Sequence, residues 1–428
     1  MLPKTFTTMT RLTLVCLALS SFILLSCEDD FGKKTVTYTK ATALYGDLDA
    51  LRATPLNGHA RDIVDPGKIF VYDNLILVGE EGHGIHVIDN TDPQNPSAVS
   101  FLSIPGNREF FISEGTLYAE SMYDMLKIDI SNIQQPVIES RIENAFLQTI
   151  YGTDGEAVIG FEYEEVTQEL DLDDPIFSYD TDESIFYYDI NNSLIPQSAV
   201  PASFAGNSSS GIGSVNRIVA YDGYVYAVSR EKMNIFSTAN GFEQVFSQSV
   251  GWNMETVFPM GDRLFVGASS SVDIYDISNR ESPLLQSNYW HMTSCDPVLP
   301  IDESTAYVTL RTGDFSDCPG DENELLVIDI STNDWVQEVQ EIVMDSPFGM
   351  TLIGDKLYVG EGDHGLKVFD ASDRRDLKLL ESIASVEAYD VIAHPNRSDI
   401  LLIATPDGLV QYQLDINLDL FLISNIEF

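Results

Sequence analysis

Two short segments carry residue types that could bind a metal or move a proton. VGEEGHGIHVID (Val78–Asp89) and VGEGDHGLKVFD (Val359–Asp370) align so that Glu80 falls with Glu361 and His83 with His364. A carboxylate and an imidazole three residues apart on a hairpin can ligate a divalent metal or act as acid and base. The simpler reading is conformational: Gly82, Gly84, Gly362 and Gly365 make tight turns, and His tolerates unusual dihedrals beside them. A second candidate is the acidic run holding Glu169, Asp171, Asp173, Asp174, Asp180, Asp182 and Glu183. Calcium prefers six to eight oxygen ligands, but this spacing fits no EF-hand loop, and acidic runs are usually solvated. No cofactor is therefore expected, with calcium at this run as the alternative. The chain has no GxSxG elbow, no HExxH pair, no phosphate-cradling glycine loop and no sialidase-type Asp box.

Charge narrows the partners further. The 428 residues carry a net charge of -44 at 44% hydrophobic content. That balance opposes nucleic acid, which needs clustered Lys and Arg, and opposes adhesion of the bare protein to an anionic membrane. It suits a soluble surface kept monomeric by self-repulsion.

The N-terminus predicts a different route to a membrane. Lys4 and Arg11 precede an apolar run from Leu12 to Leu25, flanked like a secretory signal and too short to span a bilayer. Leu24-Leu25-Ser26-Cys27 resembles a bacterial lipobox, which implies cleavage after residue 26 and acylation of Cys27. Acyl chains contribute about 0.8 kcal/mol per buried methylene, enough in pairs to hold a domain durably. Glu28-Asp29-Asp30 resembles the surface-export signal of Bacteroidetes lipoproteins; a plain solvated linker is the other reading. Of the remaining cysteines, Cys295 and Cys318 stand 23 residues apart. In an oxidising compartment they are expected to form a disulfide, worth about 3 kcal/mol in the chain-entropy model.

The elements that must position these residues repeat eight times. Each unit has a polar turn, such as YDN (Tyr72–Asn74), SEG (Ser113–Gly115) or YDG (Tyr221–Gly223), then an apolar strand, then a strand usually ending in Asp. Those ends fall at residues 89, 129, 189, 237, 276, 329, 370 and 413, a period of 39 to 60 residues. Such a period predicts an all-β fold: a β-propeller, eight blades of four antiparallel strands, or seven if one unit is misread or the Thr35–Thr39 strand completes another blade. The recurrent Asp predicts a structural role, its carboxylate capping backbone N–H groups two residues on. The predicted organisation is a signal over 1–26, a lipidated tether and N-terminal segment over 27–58, with a short helix capped by Asp47, and the propeller over 59–428.

GIHVIDNTDPQNP, MLKIDISNIQQP and LLVIDIST resemble LVIVD repeats, found in bacterial cell-surface proteins expected to be propellers. The run PGKIFVYDNLILVGEEGHGIHVIDNTDPQNPSAVSFLSIPGN is similar to a group of Bacteroidetes lipoproteins carrying them. The resemblance implies fold and an outer-membrane, surface-exposed location, and lends no activity.

Strand order then predicts that first-strand entrances and the loops joining second to third strands share one face. Both long insertions (residues 163–184 and 311–324) fall there. Arg61, Asp62, Arg108, Glu109, Gln148, Arg217, Glu255, Asp296, Tyr389 and Asp390 would ring a channel mouth. They could bind a polar ligand, or form a plug of mutually paired charges. The leading functional expectation is a non-catalytic module binding an envelope protein or glycan. The alternative is a metal-dependent sugar or lactone hydrolase or lyase at the channel mouth.

Overall fold

The computed structural model describes residues 33–146, 157–171, 185–188, 194–195, 216–229, 232–239, 241–251, 254–268, 270–291, 297–312, 323–332, 335–416 and 419–428. Cys27, Gln148, Cys295, Asp296 and Cys318 lie outside them, as do the acidic residues Asp173, Asp174, Asp180, Asp182 and Glu183. Glu169 and Asp171 are described and exposed.

The chain is an all-β propeller with eight four-stranded sheets among the described residues, one of them carrying an extra edge strand. Contacts divide the chain into two compact units. The described part of the smaller comes from residues 33–43 and 162–195. Here Thr39–Thr42 pair in parallel with Ile185–Tyr188, so the predicted N-terminal strand joins the third repeat's sheet.

Seven sheets lie in the larger unit, and each is an antiparallel meander in chain order. The first holds strands Pro66–Tyr72, Leu75–Glu80, Gly84–Asp89 and Ser97–Ser103, with Asn57–Gly58 paired to the outer strand. The strands read as they do for a physical reason. Second strands such as Thr305–Leu310 are buried at every position, whereas the outer strand Lys378–Ile383 is exposed at all but its last. Sequence follows suit: TAYVTL inside, KLLESI outside.

Each sheet offers apolar side chains from both faces, and the next sheet covers them. Leu77 and Val87 pack with Leu117 and Ile128; Tyr118 and Met125 pack with Val225 and Phe236. The series continues with Tyr226 and Ile235 on Leu264 and Val266, Phe265 and Ile274 on Val308 and Leu326, and Tyr307 and Val327 on Leu357 and Phe369. Finally Tyr358 and Val368 meet Leu401 and Ile403, and Ile400 and Leu402 meet Ile76 and Ile88 of the first sheet. The seven sheets of this unit therefore pack in a closed cycle.

The turns obey local rules. Glu114 and Gly115, and Asp222 and Gly223, take positive φ at both central positions, the type I′ geometry that suits two-residue hairpins. After the third strand, Asp89, Asp129, Asp276, Asp329 and Asp370 each accept the N–H two residues on, at 2.7–2.9 Å. All five carboxyls lie below the ordinary aspartate range, held there first by the Arg375 guanidinium at Asp329, by the Thr91 side chain at Asp89 and by these backbone bonds at the other three. All seven sheets also shift register by a bulge between third and fourth strands. A bulge there increases twist and turns the outer edge away from further pairing. Asp47 caps the short helix Leu48–Arg52, accepting from Asp49 and Ala50. No described helix is long and apolar enough to cross a membrane.

Candidate functional site

The second-to-third loop of one sheet reaches the entrance of the next, as strand order predicts. Gly82 N–H donates to Asn107 O (2.8 Å) and Gly106 N–H to Gly82 O (2.7 Å). Gly362 and Ala388 exchange both backbone bonds in the same way.

In both Glu–His loops the Glu side chain has partners within the protein. Glu80 is buried and holds His86 Nε2 at 2.6 Å together with the Arg61 guanidinium, which also stacks 3.8 Å from the Phe101 ring centre. Burial keeps the His86 imidazole below its usual range despite Glu80. Glu361, fully buried, accepts Asp345 N–H at 2.8 Å and pairs with Lys367 Nζ at 2.7 Å. The nitrogen partner sits six residues after the Glu in both loops, His86 in one and Lys367 in the other, a spacing the sequence displays but that the Glu–His reading passes over. His83 and His364 are exposed. His83 Nδ1 contacts its own turn at Glu81 O (2.6 Å), and His364 lies 3.6 Å from Asp363. Among the described residues no three His, Cys, Asp or Glu side chains are grouped to hold a metal ion.

The predicted channel residues fall into two groups. Around the entrances of the first, second and fourth repeats stand Arg108, Glu109 and Arg217, joined by Lys68, Glu81 and Glu120. Lys68 (4% exposed) donates to Glu109 Oε2 at 3.0 Å, and Glu109 also receives Arg217 N–H at 3.4 Å. Arg108 pairs with Glu81 at 3.3 Å, and Arg217 Nε reaches Glu255 O at 3.4 Å. Asn107 Nδ2 bonds the carbonyls of Glu109 (3.1 Å) and Glu120 (2.8 Å), fixing the two strands that present these acids. Three cations thus meet three carboxyls. Burial lowers the Lys68 ammonium against the pull of Glu109, and raises Glu81 against Arg108. Burial also pushes Glu120 up to about 8, Arg108 opposing and Glu109 assisting.

The second group lies around the entrances of the seventh and eighth repeats. Arg311 follows the strand Thr305–Leu310, and its guanidinium lies 4.1 Å over the Phe348 ring. Phe348 meets Tyr389 edge to face with ring centres 4.9 Å apart. All three side chains are half-buried. Asp390 is buried above Gly349, where a Cβ would fall 1.7 Å from Asp390 Oδ1. Of this group the sequence marked Tyr389 and Asp390. Lys68, Glu81, Glu120 and Phe348 were missed because they precede or follow the strand starts that the repeat alignment highlights, and Arg311 was read only as the edge of an insertion.

Comparison with known proteins places the fold. No curated protein matches this chain. A protein from Lactobacillus plantarum aligns at 11% identity over 85% of this chain and 96% of its own, with a TM-score of 0.52. A functionally unknown protein from Desulfotomaculum acetoxidans DSM 771 aligns at 10% identity over 83% of this chain and 96% of its own, also at 0.52. BamB from Moraxella catarrhalis aligns at 10% identity over 89% of this chain and 96% of its own, at 0.47. The family model that matches is the LVIVD repeat, over residues 258–291, which run from the first strand of the fifth repeat's sheet to just past its outer strand.

Proposed function

We propose that this chain is a lipid-anchored, envelope-facing propeller that binds a protein or glycan partner and does no chemistry of its own. The observation that carries the reading is the commitment of its candidate acids and bases. Glu80 is held by the Arg61 guanidinium and buried His86, Glu361 pairs with half-buried Lys367, and Lys68, Glu109, Arg108 and Glu81 neutralise one another. A buried charge so paired is a structural element, since withdrawing it for catalysis would strand its partner. What remains is a ring of packed sheets joined by loops, the arrangement in which binding residues sit on loops held by a scaffold. Anchoring through Cys27 and an outer-membrane location, exposed at the cell surface, belong to the same proposal and rest on the lipobox-like LLSC.

The experiment is capture from an envelope extract by the purified mature chain after crosslinking, with a charge-matched acidic protein as control. A partner retained only by this chain supports the proposal. Retention of the same set by both proteins, or of nothing, overturns it. Protease added to intact cells, removing the domain, tests the surface location.

A further inference from the structure

We infer that Arg311, Phe348 and Tyr389 form a binding site for a saccharide carrying one carboxylate. This rests on the binding reading above and names a ligand class for it. The three residues come from consecutive sheets, and Phe348 and Tyr389 are pinned by their backbones. Thr309 Oγ1 donates to Phe348 O (3.0 Å), Phe348 N–H to Gly360 O (2.8 Å) and Tyr389 N–H to Ala404 O (2.9 Å). Gly362, at φ +56°, sits against both rings, and a Cβ there would fall 2.8 Å from Phe348 Cε2 and 3.5 Å from Tyr389 Cε1. The platform is thus built before any ligand arrives, which lowers the ordering cost of binding.

Arg311 is what calls for an anion. Stacking on Phe348 satisfies the face of its guanidinium but none of its five N–H donors. Among the described residues no carboxylate lies within ion-pair distance of it. Burial lowers its pKa, and among the described residues Glu255 acts the other way. Of the other channel cations, Lys68 is paired to Glu109 and Arg108 to Glu81, and Arg217 Nε reaches the Glu255 carbonyl. A guanidinium held flat against a ring presents the planar fork that takes a carboxylate bidentately.

Tyr389 and Phe348 supply half-buried aromatic surface beside that fork, suited to the CH-rich face of a pyranose. The surrounding charge limits the ligand to one negative group. Asp363 and Glu387 act on Tyr389, whose phenol is raised by burial first and by them second, and the whole chain carries -44. A polyanion would be repelled on approach; one carboxylate, bonded directly to Arg311, is not.

The test is calorimetric titration of the full mature chain with a glucuronic acid-capped cellobiose, with cellobiose, and with a capped dipeptide bearing one free carboxylate. The acidic sugar should bind with Kd below about 1 mM and at least about tenfold more tightly than either other probe. Arg311→Met should abolish that preference, Arg311→Lys should restore only part of it, and Tyr389→Ala should weaken both sugars. Thermal midpoints of the variants, with exposed Lys378→Gln as a neutral control, separate lost binding from lost folding. Equal binding of acidic and neutral sugar, equal or better binding of the peptide, unchanged binding in Arg311→Met, or no acidic-sugar binding up to about 10 mM overturns the site. Failure here with a partner still captured from envelope extract would leave the broader binding proposal standing.

Discussion

Glu120 shows most clearly what a closed ring does to single residues. In sequence it is one more glutamate in LYAES; in the fold it shares a largely dehydrated space with Glu81, Glu109, Arg108 and Arg217, and its pKa rises to about 8. Its unfolded value lies near about 4.3, so between there and about 8 the native state holds a proton that the unfolded state has released. Stability attributable to this group therefore falls as pH rises through that window. Glu120→Gln mimics the protonated acid and should raise the thermal midpoint at pH 8.5 by several degrees while changing little at pH 4.5. Equal midpoint changes at the two pH values would refute the assignment. Lys68 makes the complementary point, because its ammonium is buried against Glu109. Lys68→Met should cost about 3 kcal/mol by leaving that carboxylate unpaired, and adding Glu109→Leu should recover much of the loss. Urea unfolding of both variants measures it; a double variant no better than the single would contradict the pairing. Neither residue could be singled out from sequence, since nothing local distinguishes a glutamate facing an axis from one facing water.

At the scale of one turn the sequence was far more legible. The Asp ending the third strand was expected to cap a backbone N–H two residues on, and five of the six do so, the sixth, Asp189, lying outside the described residues. A second layer of caps follows the first. Three residues after the first cap, Asp92, Asn132, Asn279 and Asp373 cap the N–H of Gln94, Gln134, Glu281 and Arg375. The pattern Asp-x-(Ser/Thr)-(Asp/Asn) was present in DNTD, DISN, DISN and DASD and needed only to be read as two linked Asx turns. Gly84, Gly365 and Gly408 stand at strand starts, where glycine usually serves a turn. Their larger role is close approach, since a Cβ would lie 1.9, 2.3 and 2.1 Å from an outer-strand carbonyl. For the caps, Asp276→Ala should cost about 1 kcal/mol at pH 7, and Asp276→Asn less because an amide oxygen still accepts. The sign with pH follows from the depressed carboxyl: its contribution is whole above the unfolded value near about 3.9 and is lost as pH falls through the lower folded value. Denaturant midpoints of Asp276→Ala and the unaltered chain should thus draw together as pH falls below the unfolded value, and a gap that stays constant on acidification would count against the cap.

For the whole molecule, eight repeats in the sequence correspond to eight four-stranded sheets, but which sheets cover which is a long-range matter that a period alone does not encode. The third repeat illustrates the limit: a strand from residues 33–46, far away in the chain, enters its sheet in a parallel register. Closure of the seven-sheet cycle is similarly non-local, joining residues more than three hundred positions apart. Apolar burial drives that closure through Ile400 and Leu402 on Ile76 and Ile88, but such contacts are tolerant of sliding. A polar lock sets the register. Asn90 Nδ2 donates to Gln411 Oε1 at 2.9 Å and Gln411 Nε2 to Asn90 Oδ1 at 2.8 Å, with both residues almost wholly buried. Gln411 Nε2 also reaches Ser424 Oγ at 3.1 Å, tying the seam to the outer strand of the last sheet. Removing one amide strands the other without water, so Asn90→Ala and Gln411→Leu should each cost about 1–3 kcal/mol. Their combination should cost clearly less than the sum, because the second removal deletes the group the first left unsatisfied. Additive losses in a double-mutant cycle would mean the pair is not coupled, and ring closure would then rest on apolar contact alone. A lock of this kind also predicts where the ring opens first: in Gln411→Leu, native-state hydrogen exchange should speed up in Arg397–Thr405 and Leu75–Glu80 before it does in the sheets across the ring.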